Sequence, residues 1–131
     1  MAESERIRIE TDARGVATLT LARAEKKNAM DAAMIDALAG AAAALGADDG
    51  VRAVVLAAEG ETFCAGGDLG WMRAQMEADR ATRIGEARRL ADMLGALDRM
   101  PKPLVARVQG DAYGGGVGLL AVCDAAIAAE G

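Results

Sequence analysis

The sequence contains no histidine, and this one absence removes much of the common nucleophilic and metal chemistry. Ser-His and Cys-His pairs, HExxH zinc sites and imidazole acid-base catalysis all need an imidazole. Proton transfer is therefore left to carboxylates, Tyr113, a lysine, or groups on another chain. Aromatic residues are nearly missing as well. Phe63, Trp71 and Tyr113 make up 2% of the chain, too few for a platform on which bases stack. The two cysteines, Cys64 and Cys123, show no C-x-x-C spacing, which argues against a metal knuckle or a redox pair. They are expected to be small buried apolar residues in a reducing compartment. With no imidazole to activate it, Cys64 is not read as a nucleophile.

Positive charge is in deficit, with 15 Lys and Arg against 20 Asp and Glu and a net charge of −5. That balance favours solubility and denies a general nucleic-acid binder the basic face it needs. Long hydrophobic runs are lacking too. The alanine-rich stretch from Ala37 to Ala47 is too short and too weakly apolar to span a bilayer. Met1 to Arg6 is polar and mixed in charge, unlike a secretory signal. The expectation is a soluble cytoplasmic protein with neither a membrane nor a nucleic acid as partner.

What is present suffices for one domain with a real core, since 53% of the 131 residues are hydrophobic. Ile7 and Ile9, then Val16, Leu19 and Leu21, flank the turn-forming Asp12 to Gly15 and predict a β-hairpin. Asp31 is placed to cap a helix reaching about Gly46, with Met34, Ile35, Leu38, Ala42 and Leu45 at helical spacing. Val51 to Ala58 is a β-branched run suited to a buried strand. Leu69 to Met76 predicts a short helix. Ala81 to Met100 predicts a longer one, with Ile84, Leu90, Met93, Leu94 and Leu97 on its apolar side, stopped by Pro101-Lys102-Pro103. A strand over Leu104 to Val108, a helix through Val122 and a strand from Asp124 to Ala129 follow. Strands alternating with helices predict a largely parallel α/β sheet with right-handed crossovers.

Two glycine-rich turns interrupt this order, Phe63-Cys64-Ala65-Gly66-Gly67-Asp68-Leu69 and Gly110-Asp111-Ala112-Tyr113-Gly114-Gly115-Gly116-Val117-Gly118. Each follows a strand-like run and opens a helix, where backbone N–H groups lack intrahelical partners. Both should lie at the carboxyl edge of the sheet, where open α/β sheets bind ligands. Two such turns can aim two donors at one oxygen, and fixed donors stabilise a developing oxyanion more than its ground state. Losing one donor typically costs about 2.7–4 kcal/mol. The plainer reading is that both are merely tight strand-to-helix turns. A phosphate loop fits poorly: Gly114, Gly116 and Gly118 give G-x-G-x-G rather than G-x-G-x-x-G, and no G-K-[ST] occurs in either turn.

Taken together, these segments resemble the enoyl-CoA hydratase/isomerase, or crotonase, family over essentially the whole chain. The loop Leu21 to Met30 is similar to the family's NRP…NA(L/M) segment. Phe63 to Leu69 is similar to its first hole motif, and Lys102-Pro103 leads into Gly110 to Asp124 as it does there. The resemblance implies a crotonase-like spiral of ββα units, of which residues 1–131 form the N-terminal portion of a single domain, incomplete at its C-terminal part.

It further implies that the backbone N–H groups of Ala65 and Gly115 form the oxyanion hole for an acyl-CoA thioester and stabilise its enolate. Substrate contacts would fall on Lys26, Lys27, Ala29, Ala65, Gly66, Gly67, Asp68, Leu69, Trp71, Tyr113, Gly114 and Gly118. Lys26 and Lys27 would meet the CoA nucleotide or simply be solvated. Asp68 would line the channel or only cap the following helix, and Trp71 and Met72 would wall the acyl pocket or pack in the core. No metal and no cofactor are implied, coenzyme A being part of the substrate, and longer relatives are expected as homotrimers or hexamers.

One departure bears on chemistry. Hydratases of the best-known type carry a glutamate where this chain has Gly118, and water addition commonly uses two carboxylates. The motifs Gly114 to Leu119 and Ala65 to Met72 are similar to a branch that resembles methylglutaconyl-CoA hydratases, which also has glycine there. The sequence thus implies hydration of a 2-enoyl-CoA, branched ones included. The alternatives are a catalytically inactive acyl-CoA-binding or assembly protein, and an α/β nucleotide binder with affinity for ATP or NAD.

Overall fold

A computed structural model describes residues 6 to 130. Met1 to Glu5, on which the reading of the amino terminus rests, and Gly131 lie outside the described residues. Strands β1 (Ile7–Thr11) and β2 (Val16–Leu21) form the expected hairpin. Its turn is closed by Asp12, whose carboxylate accepts the N–H groups of Arg14 and Val16 at 2.8 and 3.1 Å, an Asx turn. Helix α1 (Ala32–Ala47), strands β3 (Ala53–Ala58) and β4 (Thr62–Cys64) and helices α2 (Leu69–Glu77) and α3 (Arg80–Asp98) follow. Then come β5 (Leu104–Val108), β6 (Asp111–Ala112), α4 (Gly115–Ala121) and β7 (Ala125–Ala128).

The main sheet runs β1-β2-β3-β5-β7, and every pairing after the first hairpin is parallel. Alternation puts Ala17, Leu19 and Leu21 of β2 and Val54 and Leu56 of β3 into the core, together with Leu104, Ala106 and Val108 of β5. Against that face packs α1, burying Met34, Ile35, Leu38, Ala41, Ala42 and Leu45 as the spacing predicts. Asp31 caps it, accepting Met34 N–H at 3.0 Å. At the other end Lys102 caps the chain leaving α1, its Nζ donating to the carbonyls of Leu45, Asp48 and Val51 at 3.1, 2.6 and 2.6 Å. A cation on final carbonyls also suits the helix dipole.

Some boundaries and faces differ from expectation. Val51 is buried but precedes β3, which starts at Ala53. Helix α3 spans Arg80–Asp98 rather than Ala81 to Met100, because Asp79 caps it, accepting Thr82 N–H at 2.7 Å. Its buried side chains are Met93 and Leu97. Ile84, assigned to the same apolar face, is exposed, because residues 80–88 extend past the packed surface. Cys64 is fully buried as expected, whereas Cys123 is only half-buried.

The feature without a sequence forecast is a second, two-stranded sheet made by β4 and β6 in parallel. It joins the strand end that carries the first glycine turn to the one that carries the second. Helix α4 then packs on it through Gly116 and Leu119.

Candidate active site

The second sheet brings the two glycine turns into contact. Tyr113 N–H donates to Cys64 O at 2.9 Å, so the second turn starts hydrogen-bonded to the strand that ends in the first. A Cβ at position 66 would lie 2.9 Å from Tyr113 O and 3.4 Å from Gly115 N, and Gly66 has φ +95°. Both the close approach and the left-handed backbone require glycine there. On the facing side, a Cβ at position 116 would lie 2.5 Å from Cys64 O, a backbone atom that cannot yield. Glycine repeats in these turns because backbone packs on backbone.

Which donors remain open follows from the hydrogen bonds. Ala65 N–H donates to Lys27 O at 3.0 Å, so the donor assigned to Ala65 is already engaged. Gly67 is the open one. In its parallel bridge with Met30, Met30 N–H donates to Gly66 O at 2.7 Å and Asp68 N–H donates to Met30 O at 2.8 Å. That pattern turns the N–H of Gly67 itself to the opposite side, and it has no partner among the described residues. In the second turn Gly116 N–H donates to Tyr113 O and Val117 N–H to Gly114 O. Gly115 opens α4 and its N–H has no partner among the described residues. The contact that engages Ala65 N–H is with a distant loop, which the motif alone does not reveal.

Beside Gly67 lies an open cleft of about 470 Å³ lined by Glu25, Lys26, Lys27, Ala29, Ala65, Gly67, Asp68, Leu69 and Gly70. It gathers seven of the residues singled out from the sequence and adds Glu25 and Gly70. Lys26 and Lys27 are exposed at its rim, where their charge favours an anion. Gly66, Trp71, Tyr113, Gly114, Gly115 and Gly118 do not line it. Gly66 is buried between the turns. Trp71 packs half-buried against the core, with its ring edge over Gly67, and the exposed Met72 places its Sδ there too. Tyr113 is 55% exposed and donates its hydroxyl to Asp111 at 3.0 Å. That hydrogen bond raises its pKa and keeps it protonated. Gly118 faces the Leu94 side chain.

The titratable groups have defined states. Asp68 uses both carboxylate oxygens: Oδ1 accepts Trp71 N–H at 2.8 Å, capping α2, and Oδ2 accepts Arg23 Nη1 at 3.0 Å. Its pKa is lowered first by the Trp71 N–H and then by Arg23, so it stays ionised and is ill suited to donate a proton. Burial would raise Asp31, yet hydrogen bonds from Arg6 and Met34 N–H and the charge of Arg23 lower it overall. Burial pushes the Cys64 thiol up. It donates to Asn28 O at 3.2 Å and is inert as a nucleophile. Cys123 is raised by burial to about 11. No cluster of metal-ligating side chains occurs among the described residues.

Two residues of the loop before α1 have structural roles that the sequence analysis missed. Asn28 is fully buried at φ +57°. Its Oδ1 accepts Arg23 N–H at 2.9 Å, and its Nδ2 donates to Glu59 O and Thr62 O at 2.8 and 3.0 Å. Arg23 reaches from the same loop to Asp68. A buried-polar signal at Asn28 was legible only as a resemblance to the NA dipeptide of the family segment.

The arrangement defines a class: a mostly parallel α/β protein in which two touching glycine turns present open backbone donors, the first of them beside a cleft rimmed with lysine. Comparison with known proteins narrows this. The enoyl-CoA hydratase/isomerase family model matches residues 11–131. An enoyl-CoA hydratase of Alternaria alternata is 36% identical over 114 residues, covering 87% of this chain and 36% of that protein. The crystal structure of an enoyl-CoA hydratase from Shewanella pealeana superposes with a TM-score of 0.90 at 36% identity, covering 94% of this chain and 46% of that one. One from Mycobacterium smegmatis gives 0.87 at 42%, covering 95% and 48%. The chain therefore belongs to the enoyl-CoA hydratase/isomerase family and has the crotonase fold. It spans about half the length of these solved structures, and less of the Alternaria relative.

Proposed function

We propose that this chain binds an acyl-CoA thioester and stabilises its enolate between the N–H groups of Gly67 and Gly115. The observation that carries the reading is the pair of unpartnered amides on two turns that touch at Gly66. An acyl thioester losing an α-proton, or an enoyl thioester gaining a nucleophile at its β-carbon, places negative charge on the carbonyl oxygen. Preorganised amides stabilise that charge without reorganising during the step. Lys26 and Lys27 at the cleft rim would attract the phosphates of coenzyme A, which serves as the substrate's handle and not as a separate cofactor. Asp68 lines the cleft as an ionised cap, so it holds the turn and leaves proton transfer to other groups.

The reaction this supports is hydration of a 2-enoyl-CoA, and the relatives described above bear the same name. Gly114-Gly115-Gly116-Val117-Gly118-Leu119 and the run to Trp71-Met72 support a branched substrate such as 3-methylglutaconyl-CoA. A cytoplasmic, homotrimeric or hexameric full-length form belongs to the same reading. No helix among the described residues is long and apolar enough to cross a membrane. The test is hydration of crotonyl-CoA and 3-methylglutaconyl-CoA by the chain and by any longer natural form, followed by loss of the absorbance of the conjugated enoyl thioester. Turnover with preference for the branched substrate is expected. Binding without turnover in every form would identify an acyl-CoA-binding protein instead.

A further inference from the structure

We infer that Arg23 is a positioning residue for the acyl-binding turn: it aims the Gly67 N–H from outside the cleft, acting through Asp68 and Ala29. This rests on the thioester-binding role proposed above. Gly66 and Gly67 are consecutive, so neither has a side chain to hold the turn, and their backbone freedom is larger than that of any other pair of residues. The direction of the Gly67 N–H depends on what anchors the turn at each end. At the near end the anchor is Ala65 N–H on Lys27 O at 3.0 Å. The far end is Asp68, adjacent to Gly67: its N–H is held by Met30 O at 2.8 Å, as Gly66 O is by Met30 N–H at 2.7 Å, and its side chain is held separately.

Arg23 fixes that far end. Its side chain is 12% exposed and does not line the cleft. Nη1 donates both to Asp68 Oδ2 at 3.0 Å and to Ala29 O at 2.9 Å, and Nη2 lies 3.6 Å from Asp31 Oδ2. One guanidinium thus ties the α2 cap, the α1 cap and the cleft-lining loop at Ala29 to each other. Arg6 completes the set, donating to both oxygens of Asp31, so two cations face two carboxylates. A planar fork holds several acceptors at fixed angles, which a lysine cannot do. Because Asp68 Oδ1 is committed to Trp71 N–H, loss of Arg23 leaves the carboxylate free to rotate about that single bond and leaves the far end of the glycine pair to the Met30 backbone bridge.

The test compares butyryl-CoA with S-butyl-CoA, a thioether that differs by lacking the carbonyl oxygen. Trp71 is the sole tryptophan and its ring edge lies over Gly67, so its fluorescence reports both titrations. The ratio of the two dissociation constants measures what the amides contribute. In the unaltered protein the thioester should bind more tightly. In Arg23→Gln that advantage should fall by up to about tenfold, the scale of one hydrogen bond, with thioether affinity unchanged. Arg23→Lys, which keeps the charge and loses the fork, should fall between, and serves if Arg23→Gln does not fold. Equal weakening of both ligands, or an unchanged ratio in the folded variants, overturns the positioning role alone. A ratio near one in the unaltered protein overturns the thioester-binding reading and this inference with it.

Discussion

The two glycine turns present the same kind of donor but are held in opposite ways. The first, Cys64 to Asp68, is fastened by polar contacts with a distant loop: Lys27 O on Ala65, Met30 on Gly66 and Asp68, and Arg23 on the Asp68 carboxylate. The second, Tyr113 to Gly116, has few such contacts and is seated by steric fit, with Gly116 against Cys64 O and Gly115 beneath Met30 Cε. Directional hydrogen bonds set an angle, whereas close packing sets a distance. A site that must aim two amides at one atom gains from both.

Four substitutions separate these modes, taken from the largest expected effect to the smallest. Asn28→Ala removes three side-chain hydrogen bonds of a fully buried residue at once, leaving Glu59 O and Arg23 N–H without these partners and Thr62 O with Gln109 Nε2 at 3.3 Å. Urea unfolding should show a loss of about 3 kcal/mol or more. If the cost is below about 1 kcal/mol, the first turn does not depend on that loop. Gly116→Ala forces a Cβ against a backbone oxygen and should cost about 2 kcal/mol by overpacking, while pushing Gly115 away from Gly66. A neutral result would show that steric seating is not what holds the second turn.

Asp68→Asn probes the polar mode through pH. The folded pKa of Asp68 is lowered, so its charge contributes stability that is fully present above its unfolded value, about 3.9. That contribution is lost as pH falls through the lower folded value. The variant should be less stable by about 1 kcal/mol at pH 7, and the gap should narrow as melts are taken to progressively lower pH beneath that unfolded value. Gly118→Ala, in the interior of α4 where a Cβ meets only Leu94 at 3.6 Å, should raise stability by about 0.5 kcal/mol. It leaves both turns untouched, so the thioester preference should not change.

The sequence made the order of elements and both turns legible because they are written locally. Alternation in β2, the spacing of Met34 to Leu45 and the caps Asp31 and Asp68 each depend on neighbours a few residues away. What escaped was non-local. Strand β4 spans Thr62–Cys64 and β6 spans Asp111–Ala112, too short for any periodicity to register. Yet their pairing is what joins the turns. Lys102 was noted only beside two prolines, although it caps α1 across the chain. The family resemblance likewise placed a donor at Ala65, since nothing near it in sequence reveals that Lys27 O has taken that N–H. The Ile84 face failed for a related reason: helical periodicity marks an apolar stripe but not how far along it the core extends.

The central claim is that Gly67 and Gly115, and not Ala65, offer their amides to a thioester oxygen. Proton-nitrogen correlation spectra of the labelled protein, titrated with butyryl-CoA and in parallel with S-butyl-CoA, test this most directly. The account predicts that the amide protons of Gly67 and Gly115 move downfield with the thioester and not with the thioether, while Ala65 keeps the same shift in both. A thioester-specific shift at Ala65 with Gly67 unmoved, or no difference between the two ligands at any of the three, would contradict it.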